Sequence, residues 1–224
     1  MQACGARDAF DDVMRVSLDR FYEFLQRPLK PASRPVLALL VVPLVLSFFS
    51  PLWRISMEAP QYPGGLFMDI YAYKVEGGNG GQHLQEINTL NHYIGMRTLD
   101  REAMADLDWL PFALGALAII ALRVAAIGNV SSLIDAVVMT AYVSCFAFGR
   151  FVYTLYIFGH HLKPDAPVKV PGFMPAVLGS KQIANFTTHS WPQAGSLLLG
   201  VFVTGLLMVL GWHLVSGRRE ALRS

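Results

Sequence analysis

Four long apolar runs divide the chain, at about residues 36–53, 110–127, 133–158 and 194–215. A hydrocarbon core of about 30 Å takes roughly 20 apolar residues as a helix, so each run predicts a transmembrane span. Pro43 sits in the first run, where neighbouring helices can satisfy the carbonyl that a proline frees. Trp53, Trp109, Trp191 and Trp212 each fall at a run's end, the interfacial position for tryptophan. Ahead of the runs, Phe10, Met14, Leu18, Phe21 and Leu25 recur at helical spacing. That pattern predicts an amphipathic helix over 8–26, resting on the inner leaflet with Arg15, Arg20 and Arg27 toward anionic headgroups.

Segments 54–108 and 159–192 are too long to be simple connectors. In the first, Tyr71, Tyr73 and Val75 alternate ahead of a glycine-rich stretch at 77–81, which predicts a hairpin or short strand pair. Residues 84–96 read as helical. The glycine stretch reads as a turn and not as a phosphate loop, because no buried strand-to-helix context is expected around it. In the second segment Pro164, Pro167, Pro171 and Pro175 hold the backbone extended. It cannot fold alone, so the two segments are expected to pack together. The predicted architecture is an all-α integral membrane protein. It has an amphipathic N-terminal segment (1–35), a four-helix membrane domain (36–216) with a small extracytoplasmic cap, and a cytoplasmic tail (217–224).

Composition agrees with this pattern: 54% of residues are apolar and 15% charged, against roughly a quarter charged in soluble domains. The net charge of +2 and the lack of a basic stripe argue against a nucleic-acid partner. Lys and Arg number six before the first run, one in the second-to-third turn and three in the tail, against four and three in the two long segments. The positive-inside rule then places both termini in the cytoplasm. About 35 residues precede the first run, too many for a cleaved signal peptide, so that run is expected to stay as an anchor. Cys4 and Cys145 lie at different depths and have no metal-site spacing.

Candidate chemistry gathers in the long segments. They hold His83, His92, His160, His161 and His189, and Met57, Met68, Met96, Met104 and Met174. Imidazole and thioether suit copper. His92 and Met96 are four apart and would share one helix face, so they are the candidate metal ligands, with His160 or His161 as a third. The first two runs have no histidine, His213 lies at the cytoplasmic end of the fourth, and His160 and His161 lie at the opposite surface, so a bis-histidine haem in the bilayer would need a ligand from a partner subunit. Arg150 lies inside the third run, and intramembrane charge is costly. With no acid expected in the other runs, it predicts a bond to a partner subunit's acid or a lipid headgroup, or a quinol site nearby, against the alternative of snorkelling outward among Tyr142, Phe146, Tyr153 and Tyr156 or bonding backbone carbonyls. No GxSxG and no serine or cysteine with an evident histidine and acid points to a nucleophile, and no catalytic residue is expected.

Three stretches carry a family resemblance: residues 57–66 (MEAPQYPGGL), 88–96 (NTLNHYIGM) and 181–187 (KQIANFT). They resemble the NosB-like group of small polytopic bacterial membrane proteins that accompany the Sec-exported (clade II) nitrous oxide reductase. The resemblance covers about residues 50–195 and the four-span layout. It implies an inner-membrane, multi-pass, non-catalytic accessory or anchoring subunit of a periplasmic copper reductase, with nitrous oxide reductase as partner. It brings no ligand set, but a copper pathway raises the interest of His92 and Met96. Arg150, His160, His161 and Tyr62 are the candidate partner or lipid contacts. The alternatives are a copper-handling membrane protein or a quinol-linked electron-transfer subunit.

Overall fold

A computed structural model describes residues 18–19, 21–100, 103–183 and 186–221. In chain order the elements are α1 (Ser33–Phe49), β1 (Trp53–Ala59), β2 (Tyr62–Ile70), β3 (Val75–Gly77), α2 (Gln82–Tyr93), α3 (Asp106–Ile127), α4 (Val130–His160), β4 (Gly179–Ile183), β5 (Phe186–Pro192) and α5 (Ala194–Ala221). Most of the predicted amphipathic helix lies outside the described residues; residues 21–26 are helical.

Among the described residues, α3, α4 and α5 are long and apolar enough to cross a membrane, and only 22–28% of their apolar windows is buried inside the protein. The rest points outward, as with Phe112 and Ile127 on α3 and Met208 on α5. Apolar surface on that scale needs a non-aqueous surrounding or a partner. The apolar helix α1 is shorter, at 17 residues. Pro51 disfavours helical backbone at Ser50, which is extended at φ −110°, ψ 147°. The first apolar run therefore splits, and Trp53 begins a strand instead of ending a span.

The four apolar helices pack through Leu37 and Leu44 of α1, Leu117 and Ala121 of α3, Leu133 and Ala136 of α4, and Phe202 and Leu206 of α5. A tight turn joins α3 to α4. A side chain at Gly128 would sit 2.2 Å from the Val124 carbonyl oxygen, and the Asn129 carboxamide caps α4 by accepting the Ser132 N–H at 2.9 Å. The segment before α1 ties onto this turn: the Leu29 N–H donates to Gly128 O and the Val130 N–H to Arg27 O.

The expectation of an all-α protein is corrected by a five-stranded antiparallel sheet of order β3-β2-β1-β5-β4. Strands β1, β2 and β3 come from the first long segment; β4 and β5 come from the second. The two segments do pack together, through β1–β5 pairing from Trp53↔Pro192 to Glu58↔Thr187. Side chains alternate across the sheet. The register sets Ile55 opposite Met68 and Ser190, and Met57 opposite Leu66 and Thr188, on the inner face. Arg54 opposes Asp69 and Trp191 on the outer face. A hairpin forms at β1–β2, and the expected short strand pair forms at β2–β3, where Ile70 pairs with Val75 and Tyr71 and Tyr73 fall in the turn between them. The glycine-rich stretch does turn, with Asn79, Gly80 and Gly81 at positive φ. Contrary to expectation, it joins a strand (β3) to a helix (α2), but that helix begins Gln82-His83-Leu84-Gln85, with no lysine, serine or threonine in its first turn to hold a phosphate.

Gly159 tests how the second segment is seated. Its carbonyl accepts the Phe173 N–H at 3.0 Å, and an added Cβ would lie 1.9 Å from Phe173 O. Gly159→Ala is expected to cost about 1–3 kcal/mol by overpacking and to lower the Tm in detergent. Gly149→Ala, whose Cβ would meet nothing within 4 Å, is expected to hold or raise it.

Candidate functional site

The sheet roofs the ends of α3, α4 and α5 and leaves a cavity of about 290 Å³ beneath it. Its roof is Ile55, Met57, Met68, Ile70 and Thr188; its floor and walls include Leu107, Leu110, Phe151, Leu155 and Phe158. Helix α2 closes one side with Ile87 and Asn91, and the segment before β4 closes another with Phe173, Pro175 and Ala176. The lining is overwhelmingly apolar. Four of the methionines singled out in the sequence, Met57, Met68, Met96 and Met104, converge here.

The histidines do not join them. Helix α2 ends at Tyr93 in a Schellman turn: Gly95 takes φ 78°, the Met96 N–H donates to Asn91 O at 2.8 Å and the Gly95 N–H to His92 O at 3.2 Å. Met96 therefore lies past the helix and lines the cavity, while His92 is exposed. The shared helix face expected for this pair is not present. His160 stacks on Tyr156 with ring centroids 3.9 Å apart, and His161 is exposed. Neither lines the cavity. No group of three or more His, Cys, Asp or Glu side chains among the described residues is placed to hold a metal ion.

Asn91 is the residue that sequence reasoning passed over. It is 3% exposed and lines the cavity, and no described residue hydrogen-bonds its carboxamide. The signal was present: Leu84, Ile87, Asn91 and Ile94 follow one helical stripe, so Asn91 is a polar group on an apolar face.

A polar cluster stands at the cavity's edge. Arg150 Nε donates to Asp106 Oδ1 at 2.9 Å, Trp109 Nε1 donates to the same oxygen at 2.9 Å, and the Thr154 hydroxyl donates to Asp106 Oδ2 at 3.1 Å. Arg150 thus has an acid within its own chain, which corrects the expectation that none was in reach. The acid was missed because α3 starts at Asp106, a turn before the apolar run at Leu110. The level of the arginine is corrected too. Helix α3 has 22 residues, roughly 33 Å or one hydrocarbon thickness. Arg150 beside its first turn is at the end of that length and not deep inside it.

On the outer face of the sheet, Arg54 makes a two-point bond to Asp69 at 2.7 and 2.7 Å with its guanidinium 4.4 Å from the Phe67 ring centroid. The Tyr62 hydroxyl donates to Glu86, and that bond raises the phenol above its usual range. The hydrogen bond to Glu76 likewise raises the Lys74 ammonium. The β4–β5 hairpin sets Ser180 Oγ 2.6 Å from His189 Nδ1, and His189 Nε2 lies 3.7 Å from Glu58 Oε1. A serine, a histidine and an acid do come into line, a grouping not evident in the sequence because it needs the strand register. They lie on the face away from the cavity, with Glu58 71% exposed.

The chemistry available is apolar burial with one hydrogen-bonding amide inside and a neutralised ion pair at the edge. Asp106→Leu and Arg150→Leu are each expected to lower the Tm in detergent, because each leaves the other's charge without its partner. The double variant should lower it by less than the sum of the two single changes. Strict additivity would mean that the pair is not coupled. No protein-family model, no curated protein and no solved structure matches this chain.

Proposed function

We propose that the chain is a non-catalytic accessory or anchoring subunit of a periplasmic copper reductase of the nitrous oxide reductase type. In this reading it crosses the bacterial cytoplasmic membrane four times, with both termini cytoplasmic and the sheet-bearing cap in the periplasm. The observation that carries it is the convergence of the three resembling stretches. Residues 57–66 form the β1–β2 hairpin, 88–96 end α2 in its Schellman turn, and of the third stretch 181–183 end β4 and 186–187 begin β5. Stretches spread over about 130 residues belong to one cap at one end of the helices.

Further features support the reading. Helix α1, at roughly 25 Å, is somewhat short for a span, and local thinning of the bilayer absorbs such a mismatch. Segment 54–108 carries eight acids against four bases, a bias that steers encounter with a basic partner. Trp191 on the sheet's outer face and Tyr93 at the end of α2 are half exposed, and aromatic anchors of this kind dominate docking energetics. Tyr62, His160 and His161 lie on the same cap. The copper belongs to the reductase.

Two measurements test this. Purification in mild detergent from the native membrane is expected to recover the reductase with this chain, and Trp191→Ala is expected to lower that recovery about tenfold, a loss on the order of 1.4 kcal/mol. Clean separation of the wild-type chain from any reductase overturns the proposal. With Cys4 and Cys145 changed to Ser, an impermeant maleimide should label Glu58→Cys but not Arg219→Cys in intact spheroplasts. The reverse pattern overturns the orientation.

A further inference from the structure

We infer that the cavity beneath the sheet binds a membrane-dissolved planar ring compound bearing a carbonyl oxygen, the chemistry of a quinone headgroup. The inference does not depend on the accessory-subunit reading.

Size sets the first bound. About 290 Å³ is at the lower end of small-molecule pockets, which run from roughly 300 to 1,000 Å³. It has room for a ring and the start of a tail but not for a whole lipid. The walls set the second. Trp53, Phe151 and Phe158, with Met57, Met68 and Met96, line the space. Aromatic faces and thioethers both favour a flat ring over a flexible chain.

Asn91 sets the third. It is 3% exposed and lines the cavity, and its carboxamide has no hydrogen-bond partner among the described residues. An amide on an apolar wall gains by finding a hydrogen-bond partner there. A carbonyl oxygen in the cavity would accept from its NH₂ group, whereas an acyl chain would leave it unpaired. A charged ligand is disfavoured as well, because Asp106 and Arg150 at the edge already neutralise each other.

The route in is apolar. Phe148 lines the cavity and is 54% exposed on the outer side of α4, so the cavity reaches the surface along a helix apolar enough to cross a membrane. A ligand dissolved in hydrocarbon meets that opening without passing through water.

The test uses the full chain in nanodiscs with a short-tailed quinone as probe, read by quenching of the cavity tryptophans Trp53 and Trp109. Saturable quenching is expected. Asn91→Leu should weaken the apparent affinity at least tenfold, and Ala147→Trp, which fills the cavity from α4, should abolish the saturable phase. Melting curves of both variants establish that they fold. If Ala147→Trp does not fold, the Asn91→Leu titration decides alone. Saturable binding that does not change in Asn91→Leu overturns the proposal, as does quenching that never saturates. Solvent extraction of the purified chain separates the two sources of an apolar occupant. A ring carbonyl compound recovered at near one per chain supports the inference; stoichiometric fatty acid in its place overturns it.

Discussion

The pairing of β1 with β5 is the constraint on which the rest of this structure depends. Strand β1 begins a few residues after α1 ends, and β5 runs directly into α5, so their ladder joins the chain leaving one apolar helix to the chain starting another. Three more bonds complete the seam. The Gln193 and Gly195 N–H groups donate to Leu52 O and Pro51 O, both at 2.9 Å, and the Ser196 hydroxyl donates to Leu52 O at 2.6 Å. The approach is close enough that a side chain at Gly195 would lie 2.8 Å from two carbonyl oxygens. Backbone that leaves a helix near an apolar phase has no water to satisfy it, and this seam supplies the partners.

Everything above the helices follows from that seam. It fixes the sheet as a roof, and the roof's inner side chains then face the ends of α3 and α4 with space between them. Polar groups are handled at both ends of the bundle. At the sheet end, Asp106 receives three donors from α3 and α4. At the other end, Ser33 of α1 and His213 of α5, both buried, share a 2.7 Å hydrogen bond. Ser47 and Thr140, also buried, bond back to Leu44 O and Ala136 O of their own helices, as burial requires. Asn91 has no side-chain hydrogen bond among the described residues, and it lines the cavity.

Local pattern revealed some of this and concealed the rest. Runs of apolar residues marked α3, α4 and α5, because helix length and hydropathy are properties of contiguous sequence. The sheet was concealed for two reasons. Its strands are short and come from segments whose glycines, prolines and charges read as loops. The pairing that stabilises them also joins positions over a hundred residues apart. Arg150 shows the same difficulty. Its cost was legible from the sequence, but its partner stood just ahead of an apolar run, at a residue that looked like a solvated helix start.

The sequence by itself determined that this chain has helices able to cross a membrane and that the histidines and methionines cluster in two segments between them, since composition along a contiguous stretch decides both. Tertiary structure alone decided that the methionines and histidines part company, that Asp106 answers Arg150, and that Asn91 faces a cavity. Those outcomes rest on strand register and on where each helix stops. Both are set by contacts between distant residues, which no local spacing encodes.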